Sequence, residues 1–155
     1  MAETKCGFED VPGGAPGSEF LSLYGPTLFV NIGFDPAYKW DSQNPPPPPI
    51  PGITGIRALV DTGASECCID SLLASKLNLP IVDKRTISGS YGSHDVNVYL
   101  AQIHIPTLNM TMYGAFAGVH LSAGGQSHMA LIGRTFLRHY TMVYEGRTGT
   151  VIISN

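Results

Sequence analysis

The stretch Ala58-Leu59-Val60-Asp61-Thr62-Gly63-Ala64-Ser65 decides how this chain is read. Ile56 to Val60 is an apolar run that predicts a buried β-strand, and it ends abruptly on Asp61, Thr62 and Gly63. A carboxylate at the end of a buried strand sets burial against charge, and such local conflicts concentrate at functional sites. Asp-Thr-Gly is also an ordinary turn after a strand, so the wider pattern has to decide.

Downstream, Cys67-Cys68-Ile69 predicts a short strand. Asp70-Ser71 caps a helix over Leu72 to Leu77, which Asn78 and Pro80 stop. Arg85 to Leu100 predicts a long hairpin with Gly89-Ser90-Tyr91-Gly92 at its tip, placing a hairpin at about residues 84–100. Gln102 to Pro106, Met110 to Tyr113 and Ala115 to Val119 read as further strands, and 121–128 as a polar surface loop. A second sharp signal is Ala130-Leu131-Ile132-Gly133-Arg134-Thr135-Phe136-Leu137, an apolar strand that meets a glycine and opens a short helix. Tyr140 to Tyr144 and Thr150 to Ile153 flank a turn and close the chain as a hairpin.

Upstream, Leu28 to Gly33 is a strand, and residues 35–54 are an insertion containing Pro45 to Pro49. Five prolines forbid helix and ladder pairing. We read the insertion as a stiff surface connection against which Tyr38 and Trp40 pack. Residues 1–20, rich in Gly, Pro and acid, read as a loose arm, and 21–155 as one domain. Short strands separated by turn residues, with one or two short helices, give an all-β fold class.

At 155 residues the chain is one domain's worth, and its charged fraction of 14 % is well below the ~25 % of an average domain. A net charge of −3 leaves no basic footprint, so nucleic acid and anionic membrane are not expected partners. No run of ~20 apolar residues and no signal sequence is found. Cys6, Cys67 and Cys68 cannot all pair, which fits reduced thiols and a cytoplasmic location. His94, His104, His120, His128 and His139 show no metal spacing and read as ordinary surface or strand residues. Neither a metal nor another cofactor is expected.

Leu59 to Ser65 resembles the active-site loop of the retropepsin-like aspartic proteases. Leu131-Ile132-Gly133-Arg134 resembles that family's second signature, Ile69 to Leu79 the segment its cellular and bacterial members carry after the loop, and Gly89 to Ser93 its flap. The resemblance spans about Leu28 to Ile153. It implies a single-lobe acid-protease barrel, active as a two-fold homodimer. In retroviral members an acidic residue soon after the loop pairs with the arginine of the second signature. Here Glu66, Asp70 or a partner chain are the alternatives for Arg134.

The chemistry fits. Metal-free peptide hydrolysis without a covalent intermediate needs a water held between two carboxylates that share one proton. This chain has one Asp-Thr-Gly turn, so the second carboxylate must come from another copy. The expected function is an aspartic endopeptidase with Asp61 as catalytic acid and base, acting on peptide or protein substrate. The resemblance implies that Thr62 joins the two loops across the dimer. Gly63 admits substrate backbone, Ala64 and Ser65 line the cleft, and Gly89, Tyr91 and Gly92 close over substrate. Ile87, Ile132 and the 121–128 loop are candidate pocket walls. Two readings compete. One is a catalytically silent module of the same fold that binds peptides or dimerises. The other is an actin-like phosphotransferase, which needs two lobes and nucleotide motifs this chain does not have.

Overall fold

The computed structural model describes residues 2–49, 52–89 and 92–155. Among the described residues there are ten strands and three short α-helices, besides a 3-10 turn at Pro106–Leu108. In order they are β1 (Glu3–Lys5), α1 (Gly17–Tyr24), β2 (Thr27–Gly33), β3 (Gly52–Val60), β4 (Cys68–Asp70) and α2 (Ser71–Lys76). There follow β5 (Ile81–Gly89), β6 (Gly92–Ile105), β7 (Met110–Val119), β8 (Ala130–Ile132), α3 (Arg134–Leu137), β9 (Thr141–Glu145) and β10 (Thr150–Ser154).

Six strands close into a ring in the order β2, β3, β8, β4, β7, β6 and back to β2, with β5 pairing the first half of β6. Closure gives every barrel strand a neighbour on both sides for at least part of its length. Inward residues alternate with outward ones. Leu28, Val30 and Ile32 of β2 meet Ile56, Ala58 and Val60 of β3 in the core, while Phe29, Arg57 and Leu59 point outward. Ile69, Ile103, Ile105, Ala130 and Ile132 complete the interior.

Several elements are longer than the sequence reading has them. Strand β6 runs unbroken for 14 residues, and β7 takes Met110 to Val119 as one strand. The polar residues that interrupt the apolar pattern are satisfied from elsewhere. Gln102, fully buried, accepts from the Asp35 N–H at 2.9 Å and donates to the Pro47 carbonyl at 3.3 Å. His104 meets Thr111 across the β6–β7 ladder at 2.8 Å. The segment read as a loose arm carries two elements: β1 pairs with β10, with Thr4 opposite Ile153, and Cys6 and Leu21 enter the core. In the 35–54 insertion Tyr38 packs edge-on against Tyr113 at 5.0 Å, and Trp40 stays exposed.

Candidate active site

Strand β3 delivers Asp61. Its last residues pair in parallel with β8, Leu59 opposite Leu131 and Val60 opposite Ile132. The Val60 N–H donates to the Pro26 carbonyl and the Asp61 N–H to the Ile132 carbonyl, both at 2.9 Å. These bonds fix where the strand stops. The turn then closes on its own carboxylate: the Gly63 N–H donates to Asp61 Oδ1 at 2.8 Å, and the Ala64 N–H to the Asp61 carbonyl at 3.2 Å. An Asx turn of this kind suits aspartate at the corner. It engages one carboxylate oxygen, and among the described residues Oδ2 accepts no hydrogen bond.

The second signature holds the loop from beneath. The Arg134 N–H donates to the Ala64 carbonyl and the Thr135 N–H to the Ser65 carbonyl, both at 2.9 Å. Gly133 makes this approach possible, because a Cβ there would lie 2.4 Å from the Glu66 carbonyl oxygen and 2.9 Å from that of Ala64. The Gly133 N–H points to Cys67 Sγ at 3.4 Å. Arg134 Nη1 donates to the Thr62 carbonyl at 2.8 Å, so its guanidinium meets loop backbone. Among the described residues, Glu66 pairs with Arg85. Asp70 is taken up elsewhere: it accepts from the Leu73, Leu121 and Ser122 N–H groups and from the Ser122 hydroxyl.

The cysteines beside the site are poor nucleophiles. Burial pushes the Cys67 thiol up, and burial with neighbouring negative groups pushes Cys68 up to about 11. Among the described residues no three His, Cys, Asp or Glu side chains lie close enough together to hold a metal.

The other expected site residues divide. Thr62, Gly63 and Ser65 are exposed on the loop, with Ala64 half-buried. Gly89 and Gly92 face each other, exposed, at the end of the β5–β6 hairpin. Tyr91 lies outside the described residues. What ties this hairpin to the loop is its base, through Arg85 and Glu66, a pair the sequence reading did not single out. Ile132 does not line a cleft: it is fully buried, because β8 turns it inward opposite Val60. Ile87 is half-buried on β5. Part of the 121–128 loop borders a depression: Gly125 to His128, with Leu23, Tyr24 and Leu59, line an open hollow of about 570 Å³ beginning two residues before Asp61 on the strand. His128 itself departs from the surface reading, being 4 % exposed, with its ring against Thr27.

Residues 50–139, more than half of the chain, match the family model described as gag-polyprotein putative aspartyl protease. A search of curated proteins found no match. The matched span runs from β3 to the end of α3 and so takes in the Asp61 turn and the Gly133 support together. With barrel and signature in agreement, the chain belongs to this family of retropepsin-like aspartyl protease domains, in its single-lobe form.

Proposed function

We propose that the protein is an aspartic endopeptidase that hydrolyses peptide bonds with a water activated between two Asp61 carboxylates, one from each subunit of a homodimer. The observation that carries this reading is the Asp61 turn. It is intact, braced by Gly133 and Arg134, and the sequence contains one such turn. Two like charges sharing a site cannot both ionise, so one carboxylate acts as base and the other as acid, and their titration belongs to the pair. Thr62 then joins the loops across the two-fold axis, Gly63 to Ser65 bond the substrate backbone, and the tip of the β5–β6 hairpin closes over it.

The chain ends, β1 and β10, pair within one copy, which favours the neighbouring strand β9 as the surface for the second subunit. That strand exposes Val143 and Tyr144, 47 % and 52 % accessible, where a lone edge strand is normally guarded by charge. The three free thiols favour a reducing compartment such as the cytoplasm.

The test compares wild type with Asp61→Asn on an unstructured protein substrate between about pH 3 and 7, where coupled carboxylates titrate, reading products by mass spectrometry. Cleavage by wild type alone, falling on dilution, is the expected result. Cleavage by both proteins, or by neither at any concentration, rejects the reading; the second result turns it towards a silent peptide-binding module.

A further inference from the structure

The outer face of β2 and β3 carries a second, differently built depression of about 370 Å³, continuous with the first through Tyr24, Ser127 and His128. The two strands are antiparallel, with Thr27 opposite Leu59 and Phe29 opposite Arg57. Walking away from Asp61 along β3, the outward positions are Leu59 and then Arg57. Phe8 and Tyr24 stand over this face, their rings 6.1 Å apart, and Phe29 is 58 % exposed within it. Arg57 is exposed and has no ion-pair partner among the described residues.

The Thr27 hydroxyl lies 3.0 Å from both the Gly25 carbonyl and His128 Nε2, which seats the His128 ring against β2 beside this face. The face thus presents, among the described residues, one cation without an ion-pair partner, Arg57, on an aromatic floor. A ligand that matches carries a negative charge together with apolar surface. An extended peptide with an acidic residue has both.

We propose that this face is a distal substrate subsite. Arg57 selects an Asp or Glu side chain of the bound peptide. The proposal rests on the endopeptidase reading of Asp61 and adds a preference to it. Arg57 is four strand residues from Asp61, roughly 13 Å at about 3.3 Å per residue, so an extended substrate places the acid about three to four residues from the scissile bond.

The experiment profiles cleavage of a peptide library carrying Glu, Gln or Lys at each position, by wild type, Arg57→Gln and Arg57→Glu. Thermal midpoints show that the exposed substitutions leave the fold intact. In parallel, fluorescent Glu and Lys peptides are titrated onto the Asp61→Asn chain. The expected result is a preference for Glu over Lys of about two- to fivefold at one position three to four residues from the cut, the scale of an exposed ion pair. It disappears in Arg57→Gln and inverts in Arg57→Glu. Cleavage without an acid preference, or with one that Arg57→Glu leaves unchanged, overturns the subsite while the protease reading stands. If no variant cleaves, the protease reading falls and the titrations decide alone. Glu-selective binding reversed by Arg57→Glu supports the subsite, and equal binding of the two peptides overturns it.

Discussion

Arg134 Nη1 donates to the backbone carbonyl of Thr62 at 2.8 Å, so the residue after the second signature's glycine holds the residue after Asp61. The bond orients the loop and touches neither Asp61 nor a substrate. Arg134→Ala should lower kcat about 10- to 100-fold with little change in KM, since small misplacements of a reacting group cost up to about 100-fold. Arg134→Lys should restore part of the loss, because an ammonium can still donate to the carbonyl. A change confined to KM, or no rescue by lysine, would remove Arg134 from this positioning role.

Gly133 is tested through packing alone. A methyl group at this position meets the backbone of Glu66 and Ala64 at 2.4 to 2.9 Å, and backbone cannot swing aside as a side-chain tip can. Gly133→Ala should cost about 3 kcal/mol, at the upper end of overpacking penalties. For a domain of this size that is a fall of about 6–12 °C in thermal midpoint. A midpoint within 2 °C of wild type would show that the loop has slack the structure does not display.

The elements legible in the sequence were those whose signals are local. The apolar run into Asp61 gave β3, Asp70-Ser71 marked the start of α2, and Ala130 to Leu137 gave β8, a glycine and α3 in order. What could not be read depends on partners far along the chain. Gln102 and His104 look like interruptions of a strand until Asp35 and Thr111 are seen to satisfy them. The pairing of Glu3–Lys5 with Ile152–Ser154 joins opposite ends of the chain, and nothing in residues 1–20 taken alone signals it. At the candidate site, Asp61 to Ser65 stand out in the sequence, whereas their bracing by Arg134 and the Arg85–Glu66 pair does not. Ile132 was misplaced because a three-residue strand leaves the period-2 alternation too short to say which side faces in. His128 sits among Gly, Ser and Gln in a segment that reads polar, and only Thr27, 101 residues away, accounts for its burial.

Cys68 should be slow to alkylate. With its thiol pushed up to about 11 against an ordinary 9.0, the thiolate fraction at pH 8 falls roughly 100-fold, and reaction goes through the thiolate. Iodoacetamide at pH 8 should label the native protein far more slowly than the protein in denaturant, read by intact mass. Rapid native labelling mapped to Cys68 would contradict the burial of this strand.

Asp70 joins the start of α2 to the 121–128 loop. Its two oxygens accept four hydrogen bonds from Leu73, Leu121 and Ser122, and the residue is 1 % exposed. Asp70→Ala removes every acceptor and leaves the buried Leu73 N–H and the half-buried Ser122 N–H without a partner, which should cost about 3 kcal/mol, more than an exposed helix cap alone. Asp70→Asn keeps one acceptor oxygen and should cost less than half as much. Chemical denaturation measures both; equal losses for Ala and Asn would mean that the charge is what matters and the number of acceptors is not.

His128 sets a pH dependence whose sign follows from its surroundings. Burial, with the positive charge of Arg57 adding to it, holds the imidazole below its ordinary 6.5. Between the folded value and 6.5 the unfolded chain therefore binds more protons than the folded one, so stability rises with pH across that window. Its contribution is complete above about pH 6.5 and is lost as the pH falls, at no more than about 1.4 kcal/mol per pH unit for a single site. His128→Gln should flatten the stability curve just below about pH 6.5 and leave its shape above about pH 7 unchanged. An NMR titration should find the His128 ring still neutral at a pH where an unperturbed histidine is half protonated. A midpoint at or above 6.5 would mean that burial and Arg57 do not disfavour the charged ring, against its place between Thr27 and Arg57.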